Sequence, residues 1–150
     1  MDPSVIVEGT SFRRSTTTAA PPSAVWSVWT NVASWPRWDT ELREARLDPP
    51  AQLRANARGE LVPMRGPASR FEVTAFEPER RYVLEIQLLF ARLVIERIVE
   101  REGDGARFEH RVRFEGPLRW LFFWLLSKPF RAALPSVMDR VGALAAEVQS

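Results

Sequence analysis

Between Ala106 and Glu115 the chain changes character at every step. Ala106, Phe108, His110, Val112 and Phe114 fall on one face, and Arg107, Glu109, Arg111, Arg113 and Glu115 on the other. A period of two belongs to the extended chain, so the stretch predicts a strand with one buried and one wet face. The preceding segments SRFEVTAFEPE, RYVLEIQLLF and RLVIERIVEREGDG carry the same signal, broken by the turn-like EPERR and closed by Gly-Asp-Gly. Upstream, ELREARLDP and ARGELVPM read as shorter strands, with Gly66-Pro67 as the turn that follows. Successive strands on tight turns make an antiparallel meander.

The two ends differ from this middle. Residues 5–18 hold β-branched side chains in rough alternation and predict one strand, stopped by Pro21-Pro22. Ser23 is placed to cap a helix, and Val25, Trp26 and Trp29 recur at helical spacing, which predicts a short amphipathic helix over about 23–31. NVASWPRWD follows as a second short helix or turn, bent at Pro36. Beyond Gly116-Pro117, Leu134, Val137, Met138, Val141, Leu144, Ala145 and Val148 recur every three or four residues and predict a long C-terminal helix. This order defines an α+β chain. A curved antiparallel sheet of about six to seven strands has its apolar face covered by one long helix, with two short helices after the first strand. Such a sheet leaves an elongated apolar space beneath the helix. Residues 1–150 read as a single domain.

Composition narrows the chemistry. Cysteine is absent, which removes disulfides, thiolate metal sites and a cysteine nucleophile. With one histidine besides, a protein-built metal site is not expected. No glycine-rich phosphate loop or nucleophile elbow occurs, and no cofactor is implied. The isoelectric point of about 9.9 hints at nucleic acid. The net charge is only +2, however, and the signs alternate along the chain, so no basic patch forms and nucleic-acid binding is not expected. The N-terminal stretch lacks a basic segment followed by an apolar one, and no apolar run nears the roughly 20 residues that span a bilayer. A cytoplasmic location follows as the expectation.

Several motifs, taken in order, resemble one family. They are Pro22 with Val25-Trp26 and then Trp35-Pro-x-Trp-Asp39, followed by Phe71, Glu77-Pro78 and Tyr82. Gly105, His110-Arg-Val, Gly116-Pro-Leu and Arg131-Ala-Ala-Leu-Pro135 complete the set. In combination they are similar to the START/polyketide-cyclase (SRPBCC) superfamily, in its polyketide cyclase/dehydrase-like branch, over essentially the whole chain. The resemblance implies a helix-grip fold in which the sheet grips the C-terminal helix around a hydrophobic cavity. It also implies binding of lipids, quinones, polyketides or similar molecules, with cyclisation or dehydration in a minority of members.

Residue by residue, His110 is the sharpest candidate. On an apolar strand face it either serves a ligand as acid or base, or sits neutral and bonded in the core. Tyr82 orients a ligand carbonyl or marks the rim of the sheet, sharing a presumed inward face with Leu84, Ile86, Leu88 and Phe90. In LVIERIVER two registers stand open, and each puts a charge, Arg97 or Glu96, on an apolar face. Of the four tryptophans within residues 26–38, Trp26 and Trp29 read as core, while Trp35 and Trp38 read as clamp or pocket wall beside the cavity mouth. The candidate ligand-contacting set is Trp35, Trp38, Phe71, Tyr82, Leu84, Ile86, Arg97, His110, Phe114, Trp120 and Trp124.

Those last two tryptophans lie in PLRWLFFWLL, where only Arg119 interrupts the apolar run Leu118–Leu126. As a helix it turns Leu118, Leu121, Phe122 and Leu125 inward and leaves Trp120, Phe123 and Trp124 on other faces. With Pro129 following, the segment reads as a partly separate lid. Its aromatic rings are expected to be hidden over a ligand cavity, in a homodimer seam or at a membrane surface. The primary expectation is a carrier of a small hydrophobic molecule. The alternatives are a cyclase or dehydratase using His110, and an interaction module acting through 118–126.

Overall fold

Eight strands form one antiparallel sheet in the computed structural model, which describes residues 4–149. The first three residues of the stretch read for a leader thus lie outside the described residues. The elements are β1 (Ile6–Glu8), β2 (Ser11–Thr18), α1 (Pro22–Thr30), a 3-10 helix (Val32–Arg37), β3 (Leu42–Asp48), β4 (Arg58–Pro63), β5 (Ser69–Glu77), β6 (Arg81–Leu88), β7 (Ala91–Glu102), β8 (Gly105–Glu115) and α2 (Arg119–Gln149). Their order across the sheet is β1-β2-β8-β7-β6-β5-β4-β3. The meander β3 to β8 is complete, and β2 closes on β8, so strands from the two ends of the chain sit side by side.

Three sequence expectations need correction. Residues 5–18 form two strands, because Gly9 takes a left-handed φ of +56° and folds β1 back onto β2, with Ile6 opposite Arg13. That adds the extra strand. Ser23 caps nothing: Pro21 holds the cap position without a side-chain hydrogen bond, and Pro22 opens the helix. Lastly, the lid does not separate. α2 runs unbroken through Pro129 and Pro135, since each proline removes only one helical bond and apolar contacts on both sides of it hold the helix to the sheet.

The inward face of the sheet carries Phe12, Phe71, Val73, Leu84, Ile86, Leu93, Phe108, Val112 and Phe114, all buried. Leu134, Val137, Met138, Val141 and Ala145 of α2 close over them. The outward face is a lattice of ion pairs, which is where the alternating charges of the sequence go. Glu96 lies 2.8 Å from Arg81 and 3.8 Å from Arg111 and from Arg113. Arg92 joins Glu115 and Glu85. β7 is therefore in the register that turns Arg97 inward and Glu96 outward.

One end of the sheet collects several connections, three of them central to the site. The β4–β5 loop, the β6–β7 hairpin tip and the step from β8 into α2 all lie there, as the pairings Leu61–Ser69, Leu88–Ala91 and Arg92–Glu115 require. The step is tight. Gly116, at φ +101°, lets the chain turn against the hairpin, where a Cβ would stand 2.9 Å from the Ala91 backbone. Leu118 N–H then donates to the Phe90 carbonyl at 3.0 Å.

Candidate functional site

Four polar side chains line up across the inward face. Arg14 on β2 is opposite His110 on β8, His110 is opposite Arg97 on β7, and Arg97 is opposite Tyr82 on β6. Strand alternation places each of them inward, at one level of an otherwise apolar surface. The aromatic segment that follows α1 covers this row. The Arg97 guanidinium lies 5.1 Å from the Trp35 ring, 4.8 Å from Trp38 and 5.6 Å from Tyr82. Such an arginine is held by ring faces as well as by hydrogen bonds. Arg97 Nη1 donates to the Tyr82 hydroxyl at 2.6 Å, and that hydroxyl donates to the Trp29 carbonyl at 3.4 Å. Trp35 Nε1 donates to the same carbonyl at 2.9 Å. His110 lies under Trp29 and Trp38, with ring centres 5.6 and 6.1 Å away.

The electrostatics follow from this crowding. Burial, reinforced by the Arg97 and Arg14 charges on either side, holds His110 well below its ordinary 6.5, so the ring is neutral at physiological pH. Burial raises the Tyr82 hydroxyl, with Arg97 partly opposing the rise. The carboxyl of Asp39 is also raised by burial, and Arg97 and the Glu41 N–H offset part of that rise. Some polar capacity remains unused. Arg97 Nε, His110 Nε2, Trp38 Nε1, Trp29 Nε1 and Arg14 Nη1 are buried without a hydrogen-bond partner among the described residues.

The residues expected from sequence divide into three groups. Trp35, Trp38, Tyr82, Arg97 and His110 come together in the row and its cover. Phe71, Leu84, Ile86 and Phe114 lie on the same inward face, all buried. Trp120 and Trp124 stand apart at the start of α2, 57% and 76% exposed. Details of the expectation change as well. Trp35 and Trp38 are fully buried rather than beside a mouth, and Tyr82 is inside the core rather than at a rim. Phe90 is in the hairpin turn, exposed, at φ +53°. Along α2 the inward phase is Phe122, Phe123 and Leu126, one position on from that expected, which turns Leu121 and Leu125 out. Sequence reasoning missed Arg14 and Asp39. Phe12, Arg14, Thr16 and Thr18 share one face of β2, and that alternation was the available signal for Arg14.

Cover over the inward face is uneven. On β7, Ala91, Leu93, Arg97 and Val99 are buried, yet Ile95 between them is only half-buried. Ile95 lies mid-sheet, between buried Leu84 and Val112. Leu42, Leu88, Phe122, Phe123, Leu126 and Phe130 are half-buried as well. They sit toward the end where the three connections gather. On the outward face lies a separate groove of about 690 Å³, lined by Arg46, Asp48, Arg58, Glu60, Arg70 and Glu72 among others, where Arg46 pairs with Glu60 across strands. Among the described residues no group of three acidic or histidine side chains is placed to hold a metal, and no helix is long and apolar enough to cross a membrane.

A sheet wrapped on one long helix, with its functional candidates on the gripping face, defines a helix-grip protein. Solved structures share that fold, three of them as follows. The chain superposes on TTHA0849 from Thermus thermophilus with a TM-score of 0.71, at 18% identity over 93% of this chain and 99% of that one. MLL2253 from Mesorhizobium loti gives 0.70, at 14% identity over 91% and 97%. Ms6760 from Mycobacterium smegmatis gives 0.68, at 12% identity over 96% and 97%. At these identities the likeness is one of fold. Residues 9–148 match the family described as polyketide cyclase/dehydrase and lipid transport, and the chain belongs to that family. No curated protein matches it in sequence.

Proposed function

We propose that the protein binds or carries a small hydrophobic molecule, of the lipid, quinone or polyketide-like class, between the sheet and the N-terminal half of α2. The half-buried Ile95 carries this reading: an apolar side chain in the middle of a gripping face lacks full cover only where there is room beside it. Leu42, Leu88, Phe123, Leu126 and Phe130 are likewise only partly buried. Apolar burial supplies the binding energy, and the polar row at the inner end orients the ligand. A cyclase or dehydratase would instead ask His110 to take up and return a proton, which its place between two arginines opposes. Native mass spectrometry of protein purified from its own host, followed by denaturing release, tests the carrier reading. A stoichiometric apolar compound is expected, and reproducibly empty protein overturns it.

The rim supports a second, compatible reading, in which it rests on an anionic lipid surface. Trp120, Leu121, Trp124 and Leu125 are exposed beside the hairpin tip, where Leu89 and Phe90 are 66% and 68% exposed. A tight hairpin turn ordinarily uses Asn or Gly at a positive φ, so an apolar Phe90 there is a costly choice. Arg119, Lys128 and Arg131 flank the patch, and no acidic residue occurs from 119 to 138. Exposed tryptophan with a basic border suits a lipid interface. Co-sedimentation with vesicles containing phosphatidylglycerol, lost on changing Trp120 and Trp124 to serine, is the expected result.

A further inference from the structure

We infer that the ligand's polar end is anionic: the row Arg14–His110–Arg97 forms a head-group subsite for a carboxylate or similarly ionised oxygen. The inference rests on the hydrophobic-ligand reading and names the chemistry of its inner end. Two cations flank one neutral imidazole on the gripping face, and cross-strand pairing fixes all three at one level. Arg97 is only 5% exposed, and its Nε has no partner. Arg14 Nη1 and Trp38 Nε1 are also unpartnered, and every one of these N–H groups is a donor. Unused donors beside two guanidinium charges call for an acceptor, best a charged one.

The acids nearby do not neutralise the row. Asp139 of α2 reaches Arg14 at 3.8 Å but is itself mostly in solvent. Asp39 faces Arg97 and can offset at most one of the two guanidinium charges. Glu96 is on the other side of the sheet, committed to Arg81, Arg111 and Arg113. One step along the strands toward the rim, the row gives way to Phe12, Val112, Ile95 and Leu84, an entirely apolar level that includes the half-buried Ile95. From Arg97 to the Ala91 level is six residues of strand, about 20 Å at roughly 3.3 Å per residue. A charged row at the end of an apolar face of that length fits an amphipathic acid lying head inward.

Isothermal titration with decanoate, decanol and decylammonium tests this directly. Decanoate is expected to bind about tenfold more tightly than decanol, with decylammonium weakest. Arg97→Gln should bring decanoate down to the level of decanol while leaving decanol within about twofold. Should that variant fail to fold, Arg14→Gln, at the less buried end of the row, is expected to narrow the preference severalfold. Decanol binding as tightly as decanoate overturns the inference and leaves the carrier reading standing. So does a preference that survives in whichever variants fold. Binding of none of the three overturns both.

Discussion

The two halves of α2 share one helix and one partner sheet but pack differently. From Leu134 onward, Leu134, Val137, Met138, Val141 and Ala145 are buried along the inward stripe. Ahead of it, Phe122, Phe123, Leu126, Phe130 and Ala133 occupy the same stripe only partly buried, although most of them are larger. Larger side chains should bury more area, so size cannot explain the difference; the sheet beneath them is less closely applied. The C-terminal half lies along β2, with Gly142 against Thr18 and Asp139 near Arg14, and fastens the fold. The N-terminal half packs against the core with side chains that stay partly exposed. On the proposed function, one helix divides its work between stability and binding.

Substitutions on the two halves should separate these roles. Met138→Ala, in the fastening half, is expected to cost about 2–5 kcal/mol in urea unfolding. Phe130→Ala, in the N-terminal half, should cost about 1–2 kcal/mol because the ring is only partly buried, yet it should weaken binding of decanol. Equal stability losses at the two sites would erase the distinction.

Acidification probes the interior row beneath the helix. His110 stays neutral in the fold, while in the unfolded chain it gains a proton below its ordinary 6.5. The unfolded chain then binds more protons, so stability should fall as pH drops from that value toward the lowered native one. The slope is at most about 1.4 kcal/mol per pH unit. Asp39 acts with the opposite sign, because its raised carboxyl takes a proton in the fold before the unfolded chain does, above its ordinary 3.8. Unfolding across about pH 7 to 5 should show the histidine slope in the native protein and lose it in His110→Gln. An unchanged slope in the variant would assign the effect elsewhere.

The smallest effect on stability is expected at the exposed rim. Trp120→Ser with Trp124→Ser should change unfolding by no more than about 0.5 kcal/mol. Vesicle binding is where the pair should matter. A large loss of stability would instead mean that those rings are packed.

Much of this architecture is legible in the sequence because strand alternation records burial directly. The face of Ala106 to Phe114 and the C-terminal stripe through Val141 follow from their periods alone. Arg97 shows the limit of that signal. One-dimensional periodicity cannot choose between Arg97 and Glu96, because Val94 on the outward face is as apolar as Leu93 on the inward one. Only cross-strand pairing resolves it. The polar row is hidden for the same reason, since Arg14, His110 and Arg97 lie apart in sequence and meet only through sheet order. The helical phase of the N-terminal half of α2 differs from the expected one by a single position because Leu118–Leu126 is apolar on nearly every side, leaving periodicity nothing to contrast.

The most direct measurement is on Ile95→Phe, with urea unfolding and decanol titration carried out on the same sample. If there is room beside Ile95, the larger ring fills it, so stability should stay within about 1 kcal/mol of the native protein while decanol binding is lost. A loss well beyond about 2 kcal/mol would mean that the site is already packed, and a stable variant that still binds decanol would place the ligand elsewhere.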